Sequence, residues 1–258
     1  QGAPNSAAAM LSFIPKIAGF VALYRVLAVP VVVVGQEWSL AQFSSPLLWW
    51  LAVLSMFVGN LLALLQTDIR RMLAFSSVSH AGYMLVGFVV GTATTGGPTG
   101  FEALLFYLVV YGAMTLGAFA VLGVLQRPDR RIESIDDLAG LSRNRPAVAL
   151  LLTLFLFSLT GLPPTAGFLG KLNLFLAAWG TGTESGQWLA IWLAVNATIG
   201  AWYYLRVIGT MYLQPAPAVA TAADNNATPS YLAMALCAIA TLALFAVPGW
   251  LWALIQRV

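Results

Sequence analysis

Residues 146–179, PAVALLLTLFLFSLTGLPPTAGFLGKLNLFLAAW, decide how the rest of the chain is read. The stretch is apolar enough to cross a membrane, yet Gly161, Pro163 and Pro164 interrupt it, and Lys171 sets an ammonium group in its second half. A helix rises about 1.5 Å per residue and a bilayer core is about 30 Å thick, so the stretch is too long for one straight crossing. Proline removes a backbone donor and clashes one turn back. The carbonyls it frees survive in a membrane only where protein or a wet cavity receives them. A charge beside a helix break is how transporters build a site at mid-membrane depth. The plainer alternative is a kink that serves packing and a lysine that snorkels to the surface.

Composition agrees with a membrane setting. The 258 residues are 60% apolar and 8% charged, whereas about a quarter of a soluble domain is charged. The expectation is an all-α, polytopic transmembrane helical bundle. One cysteine, Cys237, excludes a disulfide framework and any all-cysteine iron–sulfur cluster. One histidine, His80, argues against a multi-histidine metal site. The net charge of +3 reads as topology rather than as nucleic-acid binding. No phosphate loop, nucleophile constellation or metal-ligand spacing points to a soluble enzyme. The chain starts at Gln1 and lacks the basic start of a signal peptide, which suggests that part of the protein lies upstream.

Hydropathy predicts about seven spans: residues 8–34, 47–65, 72–90, 101–125, the broken 146–179, 187–212 and 231–256, forming a single transmembrane domain over 1–258. Turn-like links at 92–100 and 214–229 separate some of them. Arg70 and Arg71 follow the second span, and Arg127, Arg130, Arg131, Arg143 and Arg145 follow the fourth. The loops on the opposite side, at 35–46, 92–100 and 180–186, contain no Lys or Arg. The positive-inside rule then sets the N-terminal end in the cytoplasm and the C-terminus outside, with Arg257 dissenting. The charged loop 126–145 reads as a solvated cytoplasmic connection or as a docking surface.

Few ionisable groups lie deep. Lys16 follows Pro15 in the first span, about 12 Å along the helix, and Pro15 is expected to loosen and break the helix there. His80 lies near the middle of the third span, and Lys171 beside the break at Gly161, Pro163 and Pro164. Arg25 reads as interfacial, and Glu102 and Arg206 as structural groups near span ends. Asn60 and Asn196 fit interhelical hydrogen bonding. Two lysines and a histidine without a deep carboxylate suit proton handling better than cation coordination, because a sodium site wants oxygens. Desolvation disfavours the charged form of an amine, and histidine titrates near neutrality, so such groups can load and release protons. Whether the three face one another is not decided by the sequence.

Several stretches carry a more specific resemblance. RRMLAFSSVSHAGYMLV at 70–86, LFYLVVYGAMTLGAFAV at 105–121 and DLAGLSRNRPAVALLLTLFLFSLTGLPPTAGFLGKLNLF at 137–175 resemble the subunit N family of proton-pumping NADH:quinone oxidoreductase, respiratory complex I. GAPNSAAAMLSFIPKIAGF at 2–20 is similar to that family's eighth helix. The resemblance covers nearly the whole chain and extends more loosely to multisubunit cation/proton antiporters. It implies an antiporter-like fold of two inverted repeats in fourteen helices, with these spans matching helices eight to fourteen. Lys16 then matches the central lysine of helix eight, Lys171 the lysine of broken helix twelve, and His80 falls on helix ten between them. The family's glutamate of helix five and lysine of helix seven have no counterpart here, so the chain reads as the C-terminal half of such a subunit.

The function that the resemblance implies is proton translocation through Lys16, His80 and Lys171, coupled to quinone reduction elsewhere in the complex. Two like charges repel by about 4 kcal/mol at 4 Å and an effective dielectric of 20, so protonating one lysine discourages protonating the other. No cofactor is expected in this chain; NADH, FMN, iron–sulfur clusters and quinone would belong to partner subunits. The implied partners are the other membrane and peripheral subunits, including a neighbouring antiporter-like subunit, together with the lipid bilayer of a bacterial inner membrane and no nucleic acid. The alternatives are a subunit of a stand-alone cation/proton antiporter and a structural membrane subunit whose deep charges merely pair.

Overall fold

A computed structural model describes residues 5–27, 30–33, 36–91, 97–125, 132–215 and 228–257. Arg127, Arg130 and Arg131, and parts of the links at 92–100 and 214–229, lie outside the described residues. In chain order the elements are α1 (Asn5–Leu27), β1 (Pro30–Val33), β2 (Gln36–Ser39), α2 (Leu40–Leu64), α3 (Ile69–Val90), α4 (Gly100–Leu125), α5 (Leu141–Asn144), α6 (Pro146–Thr160), α7 (Ala166–Trp179), α8 (Glu184–Leu213), α9 (Thr228–Ala246) and α10 (Gly249–Ile255). Among the described residues, α1, α2, α3, α4 and α8 are each long and apolar enough to cross a membrane. The shorter apolar helices α6 and α7 divide the broken segment, and α9 and α10 form a pair bent by 88°.

Three details differ from the expectations of the sequence. The first span stops at Leu27 and the second starts at Leu40, because residues between them form an antiparallel hairpin that pairs Val31 with Trp38. Pro30 disfavours helix in the residue before it, and the β-branched run after it fits a strand. The last span is not continuous: α9 ends at Ala246 and Pro248 leads into α10, since proline has no N–H with which to continue the ladder. Pro15 does not break α1, which runs through it without interruption. A helix tolerates an internal proline where its freed carbonyl finds another partner or is left strained, and the ladder on either side persists.

The helix ends are capped by side chains near them, among them Glu102 and Arg206. Asp68 starts α3, its Oδ1 accepting from the Arg70 N–H at 2.8 Å and the Arg71 N–H at 3.0 Å. Thr99 and Glu102 cap α4 reciprocally: the Thr99 N–H donates to Glu102 Oε2 at 2.8 Å and the Glu102 N–H to Thr99 Oγ1 at 3.2 Å. Arg206, on α8, donates to the carbonyls of Leu64 and Gln66 at the end of α2. The turn between α2 and α3 joins the loop at 132–145 through backbone bonds, Ile69 N–H to Glu133 O at 3.0 Å and Ile135 N–H to Thr67 O at 2.9 Å.

Helix α4 is apolar on all sides, as buried helices are, and it packs against α1, α3, α6, α7 and α9. The packing of α2 on α3 depends on glycine. A Cβ built at Gly59 would lie 2.6 Å from the Ser79 backbone nitrogen, and one at Gly82 2.7 Å from that of Met56. Glycine costs about 0.5–1 kcal/mol in a helix interior, so alanine would stabilise an isolated α2. Here the opposing atoms belong to backbone and cannot move aside, so the clash outweighs that gain. Gly59→Ala is expected to lower stability by about 1–3 kcal/mol, read as a lower unfolding temperature of the detergent-solubilised protein. A raised or unchanged unfolding temperature would show that the two helices are free to separate.

Candidate functional site in the helix bundle

The break between α6 and α7 creates one half of the site. A helix leaves its last four carbonyls without intrahelical partners, here those of residues 157–160. Gly161 turns left-handed at φ 87, a conformation that glycine adopts without steric cost. That turn lets the Gly161 N–H reach the Phe157 and Ser158 carbonyls and the Leu162 N–H reach Phe157 O at 3.0 Å. The Leu159 and Thr160 carbonyls remain. Lys171 Nζ donates to both, at 2.8 Å each. The ammonium therefore completes the end of α6 from the second turn of α7, where the helix terminus also carries partial negative charge. The Lys171 side chain is buried, at 7% exposure. The Gly167 N–H donates across the break to Ser158 Oγ at 3.1 Å, tying the two half-helices together.

The other half is built on α1. Lys16 is half-buried and donates to the Ser77 carbonyl of α3 at 2.6 Å. Its Nζ stands 3.9 Å from the centroid of the Tyr111 ring, a cation–π distance. Lys171 stands 5.0 Å from the centroid of the Tyr83 ring. Both of these rings also flank His80, Tyr83 edge-on at 5.5 Å and Tyr111 tilted at 5.1 Å. Each lysine thus rests on a tyrosine that touches the histidine lying between them.

His80 is 1% exposed, and both of its ring nitrogens are bonded, Nδ1 with the Tyr107 hydroxyl at 2.6 Å and Nε2 with the Tyr204 hydroxyl at 3.0 Å. A further polar network continues from α8 to α2. Tyr203 donates to Asn60 Oδ1 at 3.0 Å, and Asn60 Nδ2 donates to the Tyr83 hydroxyl at 3.2 Å and the Asn196 carbonyl at 2.9 Å. Asn60 and Asn196 therefore do join α2 to α8. Arg25 lies exposed near the end of α1 and takes no place in this cluster.

The structure brings Lys16, His80 and Lys171 into one aromatic cluster. Residue-by-residue reading for charge missed the five tyrosines Tyr83, Tyr107, Tyr111, Tyr203 and Tyr204, all among the largest fully buried side chains. A signal was present: Tyr83 follows His80 by one helical turn, and Tyr107 and Tyr111 share a face of α4 at a spacing of four. Among the described residues neither lysine makes an ion pair, and no group of three or more His, Cys, Asp or Glu is placed to hold a metal ion. The arrangement offers two cations held only by carbonyls and aromatic faces, with a histidine between them. Replacing Lys171 by Met leaves the Leu159 and Thr160 carbonyls unpaired, so the protein is expected to lose about 1–3 kcal/mol, measured as a lower unfolding temperature. Equal stability would mean that other groups receive those carbonyls.

The NADH:quinone oxidoreductase/Mrp antiporter transmembrane family matches residues 1–200. NADH-quinone oxidoreductase subunit N of Bdellovibrio bacteriovorus is 41% identical over 228 residues, covering 88% of this chain and 45% of that protein. The subunit N of Trichlorobacter lovleyi is 46% identical over 216 residues, covering 83% of this chain and 41% of that protein. Among solved structures, a chain of respiratory complex I from Thermus thermophilus with bound aureothin superposes with a TM-score of 0.77 at 31% identity, over 98% of this chain and 52% of that one. The chain spans about half the length of the curated relatives it matches. With the match over residues 1–200 and these relatives, the chain belongs to the NADH:quinone oxidoreductase/Mrp antiporter transmembrane family.

Proposed function

We propose that this chain conducts protons across the membrane as part of an antiporter-like subunit, of the subunit N kind, in a proton-pumping NADH:quinone oxidoreductase. The observation that carries the reading is the pair of lysines resting on two tyrosines that flank one histidine. A proton leaves Lys16, passes by way of His80 to Lys171, and continues outward. Lys16 holds one carbonyl and Lys171 two, so each ammonium has a defined resting position from which to give up its proton. Electron transfer elsewhere in the complex drives the cycle by changing charge and hydration near Lys16. NADH, FMN, the iron–sulfur clusters and quinone belong to the partner subunits in this reading.

The chain corresponds to helices eight to fourteen of such a subunit, as a single transmembrane domain in a bacterial inner membrane. The contact between the α2–α3 turn and the loop at 132–145 brings Arg70, Arg71, Arg143 and Arg145 to one end of the bundle, and the positive-inside rule assigns that end to the cytoplasm. The N-terminal end of the chain lies on the same side and the C-terminus on the other.

Lys16→Met tests the path at the position where removal costs the fold least, one carbonyl bond. In the complete complex, reconstituted in sealed vesicles, quinone reduction and proton uptake are followed together. Proton uptake is expected to fall while the complex remains assembled; an unchanged uptake would remove Lys16 from the path. Orientation has its own test. A cysteine at the exposed Arg143 is expected to react with a membrane-impermeant maleimide in inside-out vesicles and not in right-side-out ones, and the opposite pattern would invert the topology.

A further inference from the structure

The two partners of His80 are both phenols, and that choice has a chemical consequence. They come from different helices, Tyr107 from α4 and Tyr204 from α8, and grip opposite nitrogens of the ring at 2.6 and 3.0 Å. A neutral imidazole has one N–H donor and one bare nitrogen, while an imidazolium has two donors. A carbonyl or a carboxylate accepts only, so it serves an N–H and fails a bare nitrogen. A hydroxyl donates or accepts by turning its hydrogen about the C–O bond. With neutral His80 one phenol donates and the other accepts; with protonated His80 both phenol oxygens accept, their hydrogens turned away. The ring can therefore gain or lose a proton without moving and without losing a partner. A histidine fixed in one neutral tautomer needs one acceptor and one donor, and two hydroxyls meet that need while also serving the charged ring.

Each phenol is itself anchored. The Tyr107 ring lies against Gly170, the residue before Lys171, where a Cβ would collide with it. The Tyr204 ring is packed at 4.4 Å between centroids on Tyr203, whose hydroxyl is bound by Asn60. We propose that Tyr107 and Tyr204 are positioning residues of the proton path, a reversible clamp that holds the His80 ring in one orientation through both of its protonation states. The inference rests on the reading of His80 as a proton carrier.

The test uses the complete complex in sealed vesicles, with Tyr107→Phe, Tyr204→Phe and His80→Ala measured side by side. Each Tyr→Phe change keeps the ring and deletes one oxygen. The expected result is a fall of about tenfold in proton uptake for each, the effect of one lost hydrogen bond to a buried group, and no further fall in the double variant, since the clamp works as a unit. Normal uptake in both single variants, beside lost uptake in His80→Ala, overturns the clamp alone. Normal uptake in His80→Ala overturns the reading of His80 on which the clamp rests. Fluorinated tyrosines at position 107 keep the size of the side chain while making its hydroxyl a progressively stronger donor. A graded change of uptake with fluorination supports the clamp, also where a Phe variant fails to assemble, and a flat response overturns it.

Discussion

The contact between the Lys171 ammonium and the last two free carbonyls of α6 holds the centre of the structure together. A helix interrupted within a bilayer leaves backbone acceptors where water is scarce, and each unmet group is costly. Gly161 and Leu162 dispose of two of the four carbonyls through the backbone turn, and Lys171 disposes of the other two. The break and the charge are thus a single device. The glycine- and proline-rich turn leaves acceptors that need a donor, and Lys171 supplies it without a carboxylate partner among the described residues.

Around that contact the bundle is organised by α4. It supplies Tyr107 and Tyr111 to the histidine, while α3 supplies His80, Tyr83 and the carbonyl that holds Lys16. Aromatic rings fill the space between ionisable groups with little flexibility and a negative face, so they hold a cation without fixing its charge as a carboxylate would. The hydroxyls on those rings make the interior polar. The close glycine contacts between α2 and α3 bring Asn60 near enough to join Tyr83 and Tyr203, and so the packing of α2 against α3 helps set the position of the tyrosine beneath Lys171.

Much of this was legible in sequence. The spans follow from long apolar runs, the break from Gly161, Pro163 and Pro164, and the candidate ionisable groups from their rarity in an apolar chain. Glu102 and Arg206 proved to be helix caps, as their nearness to span ends suggested. Pro15 misled, because proline alone does not say whether a helix kinks, breaks or continues; the packing around it decides. The hairpin after α1 and the bend at Pro248 were hidden by hydropathy, which scores apolar strand and apolar helix alike. The tyrosines were overlooked for a related reason: a tyrosine in an apolar run is as often packing as chemistry, and only a partner distinguishes the two.

Local composition and backbone chemistry by themselves determined the class of the protein, where its long apolar segments lie, the place where one helix had to break and the few side chains able to carry charge inside it. These properties depend on residues near one another in the chain. What only the tertiary structure decided is which of these side chains meet: that Lys16 and Lys171, 155 positions apart by their numbering, rest on tyrosines sharing one histidine, and that the histidine is gripped from α4 and α8. Such meetings follow from how helices cross and how closely glycines let them approach, and no local pattern in the sequence encodes the angle and rotation of one helix against another.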